Sequence, residues 1–309
     1  MSIMYDTINM YYQFDDNPIP SIEDLFKNCT NVSHTERENS NYMQGDLKNM
    51  RITLNEGSIS VKGSLCKYHF GNNCETLNQS STKEALDNIS SDLSLDINNA
   101  MVSRIDFSTN IITKYKPTIY YPYLGNHSRF TRHPQESSLY YNQRSKKLLF
   151  YDKIEEAKNK KMVIPNKYKG QNLFRYELVL KKDVARFLKY NSLLVQDLST
   201  DLLFKKLMHL WYAYYKSIDK ISKTIKIMPD NIKTPKDVKD VLYNAFIRSN
   251  PIEVSKLMNE LKARDVFEHK EYYSRLKSSI RKIQKDEIVE NDLMDELNKK
   301  VEEIYLELI

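Results

Sequence analysis

Two short segments, Arg104-Ile105-Asp106-Phe107 and Arg175-Tyr176-Glu177-Leu178, alternate charged with bulky apolar residues at a period of two. Successive side chains of an extended strand point to opposite faces, so each segment reads as a strand with an Arg and a carboxylate on one side and an apolar row on the other. Should the two strands lie close in one sheet, two carboxylates and two guanidinium groups converge, which suits a hard divalent cation and a phosphate. Cross-strand salt bridges on a half-exposed sheet are the alternative. The residues alone leave both open.

Around these segments the pattern is mixed. Tyr5 to Phe14 is rich in β-formers and reads as a first strand, DDNPIP punctuates it, and Ser21 before Glu23 and Asp24 reads as a helix N-cap. Residues 28–46 are polar and are expected to form a loop. MRITLNEGSISVKGSL alternates on either side of Glu56-Gly57, which predicts a hairpin. Gly63 to Asn73 is expected to be a strand ending in a Gly-Asn-Asn turn. Leu86, Ile89, Leu93 and Ile97 have helical spacing between Ser80 and Ala100. Strand patterns return at Val102–Ile112, Leu139–Asn142, Lys147–Lys153 and Leu173–Leu180.

Beyond Lys189 the texture turns helical. Leu202, Leu203, Lys206, Leu207, Leu210, Trp211 and Tyr214 form one stripe with a single Lys stem in it, and Pro229, Pro235 and Pro251 interrupt the chain after it. The expected organisation is an α+β domain over residues 1–189 followed by a helical domain over 190–309. Six glycines are too few for glycine-rich phosphate loops. The three cysteines lack zinc spacing and read as reduced thiols. No apolar run approaches the ~20 residues that span a bilayer, so no membrane partner is expected and the cytoplasm is the expected location.

Charge is unevenly placed. Residues 1–110 carry 8 Lys/Arg against 15 Asp/Glu, residues 111–189 carry 18 against 6, and the remainder is close to balanced. The basic middle segment implies a polyanionic partner, because each phosphate neutralised by Lys or Arg releases counterions. Within it, Tyr151 shares a strand face with Lys153. Tyrosine attacks poorly while protonated, so a nucleophilic Tyr151 needs nearby positive charge, for which Lys153, Arg144, Lys146 and Lys147 are candidates. A packed aromatic is the other reading of the same residue. His69 is a candidate metal ligand or general base, although no His-x-His pair accompanies it.

Taken in order, several stretches resemble the replication initiators of the filamentous-phage gene II/X family and the related rolling-circle plasmid Rep proteins. They are Tyr5-Asp6-Thr7, Gly63-Ser-Leu-Cys-Lys-Tyr with Gly71-Asn-Asn, Ser103-Arg-Ile-Asp-Phe, Leu139-Tyr-Tyr-Asn, Phe150-Tyr-Asp-Lys with Glu155-Glu156, and Phe174-Arg-Tyr-Glu-Leu. The resemblance covers about the first 190 residues. It implies an antiparallel-sheet, HUH-like nicking domain that cuts and rejoins one strand of single-stranded or supercoiled origin DNA. In such proteins a tyrosine stays linked to the 5′ phosphate and a 3′ hydroxyl is left as primer. The resemblance maps the tyrosine onto Tyr151 and the acidic strand motifs onto Asp106 and Glu177, with Mg²⁺ or Mn²⁺ as cofactor. Arg104, Arg175 and Lys153 would offset transition-state charge, and a host helicase and DNA polymerase would act as partners.

This chain departs from the family in having Ile154 where glycine often follows the lysine, and in lacking a His-hydrophobe-His metal motif. The same chemistry would serve a conjugative relaxase, and a non-catalytic origin-binding protein is the rival from another class. In the helical remainder, Ser255–Ala263 and Glu271–Gln284 would fit two helices around a turn. Arg275, Lys277, Arg281 and Lys282 are the candidate DNA contacts there, with solvated bundle helices as the alternative.

Overall fold

The computed structural model describes residues 4–14, 20–37, 40–75, 77–221, 223–224, 232–285 and 289–308. The chain begins with β1 (Met4–Gln13), α1 (Ile22–Phe26), β2 (Thr30–Arg37), β3 (Ser40–Leu47), β4 (Met50–Asn55), β5 (Ser58–Ser64), α2 (Leu65–Phe70), α3 (Gln79–Asp92) and β6 (Met101–Thr113). It continues through β7 (Leu124–His127), β8 (Thr131–Pro134), β9 (Ser138–Asn142), β10 (Lys146–Asp152), α4 (Lys153–Asn159), β11 (Asn172–Leu180), α5 (Val184–Leu188), α6 (Asp201–Lys216) and β12 (Ile218–Lys220). Ten strands pair antiparallel in the order β2-β3-β4-β5-β1-β6-β11-β10-β9-β8. The two alternating segments therefore lie on neighbouring strands: β6 pairs with β11, with Glu177 opposite Ser108 and Val179 opposite Asp106.

The fold is α+β, as expected, with two local corrections. Residues 28–46, expected as a loop, contain the β2-β3 hairpin, whose side chains on β2 are mostly exposed. A strand with little to bury carries no alternation to read. The segment after Gly63 is helical rather than extended: Ser64 accepts from the Lys67 amide as the N-cap of α2, and Gly71 closes the helix at φ 74°. Ser21 caps α1, as expected. Pro18 and Pro229 lie outside the described residues, whereas Pro235 and Pro251 stand at the first turns of α7 (Pro235–Ser249) and α8 (Pro251–Ala263).

Two compact units are present: residues 1–220 with 293–309, and residues 221–292. The second unit contains β13 (Lys223–Thr224), α7, α8, α9 (Glu271–Lys285) and β14 (Val289–Glu290), around a small core of Ile247, Val254, Ile280 and Ile283. α10 (Asp292–Leu306) belongs almost wholly to the first. The division expected at Lys189 thus falls inside the first unit. The reason is the apolar face of β6, β10 and β11. Phe107 meets Phe204 of α6, Phe150 stacks on Tyr176 at 4.6 Å, and Tyr176 meets Trp211 at 4.8 Å. The expected stripe on α6 is shifted by a fraction of a turn: Leu203, Leu207, Met208, Trp211 and Tyr215 are buried, and Leu202 is exposed.

α10 joins the same face through Met294, Leu297, Val301 and Ile304, Tyr305 stacked on Tyr212 at 4.0 Å, and Lys300 donating to the Ile112 carbonyl. On the opposite face of β6 and β11, Asp106, Ser108, Asn110, Arg175 and Glu177 are buried polar residues.

Trp211→Ala is expected to destabilise the first unit by about 3–5 kcal/mol, the usual cost of emptying a fully buried aromatic site. A fragment ending at Lys189, which lacks all of α6 and α10, should give no cooperative transition in denaturant-unfolding curves.

Candidate active site

Arg175 organises the polar face. It is fully buried and all five of its N–H groups are bonded: Nη2 donates to Asp6 Oδ2 (2.5 Å) and Ser108 Oγ (2.8 Å), Nη1 to the Asn73 carbonyl (3.0 Å) and Asn110 Oδ1 (3.1 Å), and Nε to Glu177 Oε1 (2.7 Å). Asp6 reaches it because the β1-β6 register shifts between Tyr5 and Ile8, which re-aims the side chains there. Asp6 also accepts from Ser64 Oγ at 2.5 Å. Burial works against its ionisation, but Arg175 and Ser64 hold its carboxyl below the ordinary range.

Tyr151 stands on β10 opposite Arg175 in the β10-β11 ladder and donates from its hydroxyl to Glu177 Oε1 at 2.7 Å. Burial keeps the hydroxyl protonated, with Arg175 pulling the other way. Asp152 accepts from the Ile154 and Glu155 amides as the N-cap of α4, and this turn sends Lys153 inward. Lys153 is fully buried. Its Nζ lies 5.8 Å from the Tyr151 ring centroid and donates to Asn73 Oδ1 (2.7 Å) and Glu156 Oε2 (2.5 Å). Burial and Arg175 lower its pKa, with Glu156 opposing them.

Asp106 is buried and held by Arg104, with Nε at 2.8 Å and Nη2 at 2.7 Å. Even so, burial, assisted by the negative charges of Glu177 and Asp6, pushes its pKa up to about 6. Asp6, Asp106, Glu177 and Tyr151 line one cleft of about 470 Å³, together with Asp152, Glu155, Glu156, Lys67 and Lys160. Arg104, Arg175 and Lys153 do not line it. Six carboxylates against two ammonium groups make the lining acidic, so a phosphate entering it requires additional cations.

Among the described residues no three His, Cys, Asp or Glu side chains form a cluster that would hold a metal ion unaided. Mg²⁺-type sites, however, take one or two carboxylates with substrate phosphate and water. Asp106 and Glu177 both line the cleft and fit that description.

The family model for the N-terminal part of the phage replication-associated protein, the gene II product, matches residues 4–200, well over half of the chain. The chain belongs to that family. No curated protein sequence matches. A rolling-circle replication initiator protein from Geobacillus stearothermophilus is a similar solved structure, at 12% identity over 77% of this chain and 96% of that one, with a TM-score of 0.41. Among the described residues no helix is long and apolar enough to cross a membrane.

In this member of the gene II family the other expected site residues are dispersed. His69 lies on α2, 4.0 Å from Glu84 of α3, and does not line the cleft. Lys146 projects to the apolar side of β10 and sits 3.7 Å over the Phe187 ring, Lys147 lies over Tyr140 at 5.4 Å, and Arg144 is exposed in the β9-β10 turn. None of the three approaches the Tyr151 hydroxyl. On α9, Lys277 and Arg281 face a groove against α8, whereas Arg275, paired with Glu271 at 3.5 Å, and Lys282 fall on another face. Asp6, Asn73, Asn110 and Glu156 are site residues that the sequence pattern does not single out. Asp6, Asn73 and Glu156 stand inside the family-like motifs, but a bulge, a turn and a helix start hide where they point.

The raised Asp106 pKa implies that the folded chain binds this proton more tightly than the unfolded chain, whose ordinary value is near 3.8. The stability it contributes is fully present below about pH 4 and is lost as pH rises through about 6. Relative to the native chain, Asp106→Asn should therefore gain stability as pH rises from about 4 and keep that gain above about 6, when unfolding is measured without divalent metal.

Proposed function

We propose that the chain initiates rolling-circle replication by nicking and rejoining one strand of origin DNA, with Tyr151 as nucleophile. The observation that carries this reading is the Tyr151 hydroxyl lying on the cleft and bonded at 2.7 Å to Glu177, beside Asp106. Membership of a replication-associated family supports it.

Glu177 is placed to accept the Tyr151 proton as the phenolic oxygen bonds to phosphorus. The bond from phosphorus to the 3′ oxygen breaks, and that oxygen leaves as a hydroxyl after taking a proton from water. The 5′ phosphate stays on Tyr151, and the reverse sequence rejoins the strand. Mg²⁺ or Mn²⁺ held by Asp106 and Glu177 would supply charge neutralisation at the phosphate that an acidic lining lacks. Arg175 and Lys153 hold Glu177, Asp6 and Glu156 in place from behind the cleft and act as positioning residues. Lys67, at the cleft surface, is the cation available to a phosphate there without being tied to a carboxylate among the described ion pairs.

Tyr151→Phe should abolish both nicking and the protein–DNA adduct on supercoiled origin DNA, leaving DNA affinity unchanged because only the attacking oxygen is removed. Retained adduct formation would overturn the assignment. Glu177→Gln should slow single-turnover cleavage by about 10²–10⁴-fold, the usual contribution of a positioned base.

The helical unit is the proposed reader of duplex origin DNA. Changing Arg275, Lys277, Arg281 and Lys282 together to Ala should weaken duplex binding and lower its salt slope by up to about 3–4. Cleavage of a short single strand should be spared. Equal loss on both substrates would assign those residues to support of the nuclease.

A further inference from the structure

The polar face of the sheet extends past the cleft. Along β11, Glu177, Val179 and Lys181 share that face, and the Lys181 amide continues the ladder by donating to the Ser145 carbonyl. Along β6, Asp106 and Arg104 share it, and beyond them Ser103 and Met101 enter a second, shallower groove of about 980 Å³. Lys181, Lys182, Arg186 and Lys189 line this groove against one carboxylate, Asp183. None of the four cations has an ion-pair partner among the described residues.

Two aromatic side chains flank them. Tyr11 is exposed on β1, and Tyr190 is half-buried, with Lys206 of α6 fixed 4.9 Å from its ring centroid. The groove is therefore the reverse of the cleft in charge. It begins about 13 Å from Glu177, four residues along an extended strand, a distance of about four stacked nucleotides. Arg104 stands between the two. Burial, then the charges of Lys147 and Arg104, lower the Lys181 pKa, with Asp106 opposing them.

We infer that this groove binds the single-stranded DNA flanking the nick, with Lys182, Arg186 and Lys189 on its phosphates and Tyr11 and Tyr190 stacking its bases. The inference rests on the nicking reading for the identity of the strand in the cleft. Single-stranded DNA is the occupant favoured over duplex because stacking on tyrosine requires an unpaired base, and cations interleaved with aromatics form the general track for such strands. Continuity with the cleft gives the strand a single path over Arg104 from one to the other.

The test is fluorescence anisotropy of the full chain carrying Tyr151→Phe, so that no strand is cut, with Mg²⁺ present, using a short oligothymidylate that fills the cleft alone and one about eight nucleotides longer. The triple variant Lys182→Ala, Arg186→Ala, Lys189→Ala changes only exposed side chains, and its melting curve checks that it is folded. It should lower the salt slope for the longer strand by about 2 and leave the short one unchanged. Tyr190→Ala should weaken the longer strand by about ten-fold. Loss equal on both strands, loss equal on duplex, or no loss would overturn the inference. Because binding is read without cleavage, failure to find a Tyr151 adduct would count against the nickase and leave the groove standing.

Discussion

A single buried guanidinium sets the shape of the candidate site. Burying an unpaired cation costs several kcal/mol, and Arg175 avoids that cost only because every one of its N–H groups finds an oxygen. Those oxygens come from four separate stretches of chain: Asp6 on β1, Asn73 after α2, Ser108 and Asn110 on β6, and Glu177 on β11. Meeting the demands of one side chain therefore fixes the strand order β1-β6-β11 and the polar face together. It also explains why Arg175 does not itself line the cleft. The Arg and the carboxylate of the Arg-Tyr-Glu pattern divide the labour, with the cation inside and the carboxylate on the cleft.

The sequence is most legible where the period of two is long and strong. The strands around Asp106, Tyr151 and Glu177, and the hairpin at Glu56-Gly57, lie close to where alternation puts them. It is least legible where the rule is broken locally. The bulge that turns Asp6 inward and the helix start that buries Lys153 leave no mark on hydropathy. The exposed β2-β3 hairpin resembles a loop because both faces of β2 are wet. The boundary expected at Lys189 is misplaced for a different reason. A change from strand to helix texture suggests a change of domain, whereas α6 is the apolar partner of the sheet.

Net charge by segment is a coarser guide than it promises. The basic middle segment spends Arg175 and Lys153 inside the protein and Lys146 on an aromatic ring, and the cleft it helps to build is acidic. Among the cations without an ion-pair partner in the described residues, Lys181, Lys182, Arg186 and Lys189 gather along α5 and the turn before it, away from the tyrosine. The acidic cleft and the basic groove thus occupy adjoining regions of one face. Under the proposed nicking reading, that separation lets carboxylates crowd the reacting centre without repelling the whole strand.

The placement of α10 has a consequence for biosynthesis. The first unit is interrupted after Lys220 and resumes only at Leu293, so its apolar face stays partly uncovered while residues 221–292 are being made. Domains generally fold as they emerge during synthesis, but here the sheet must wait for Met294, Leu297, Val301 and Ile304 before its core closes. The helical unit, whose residues are contiguous, is complete first. A ribosome that stalls between the two would release a chain with a finished helical unit and an unfinished first unit.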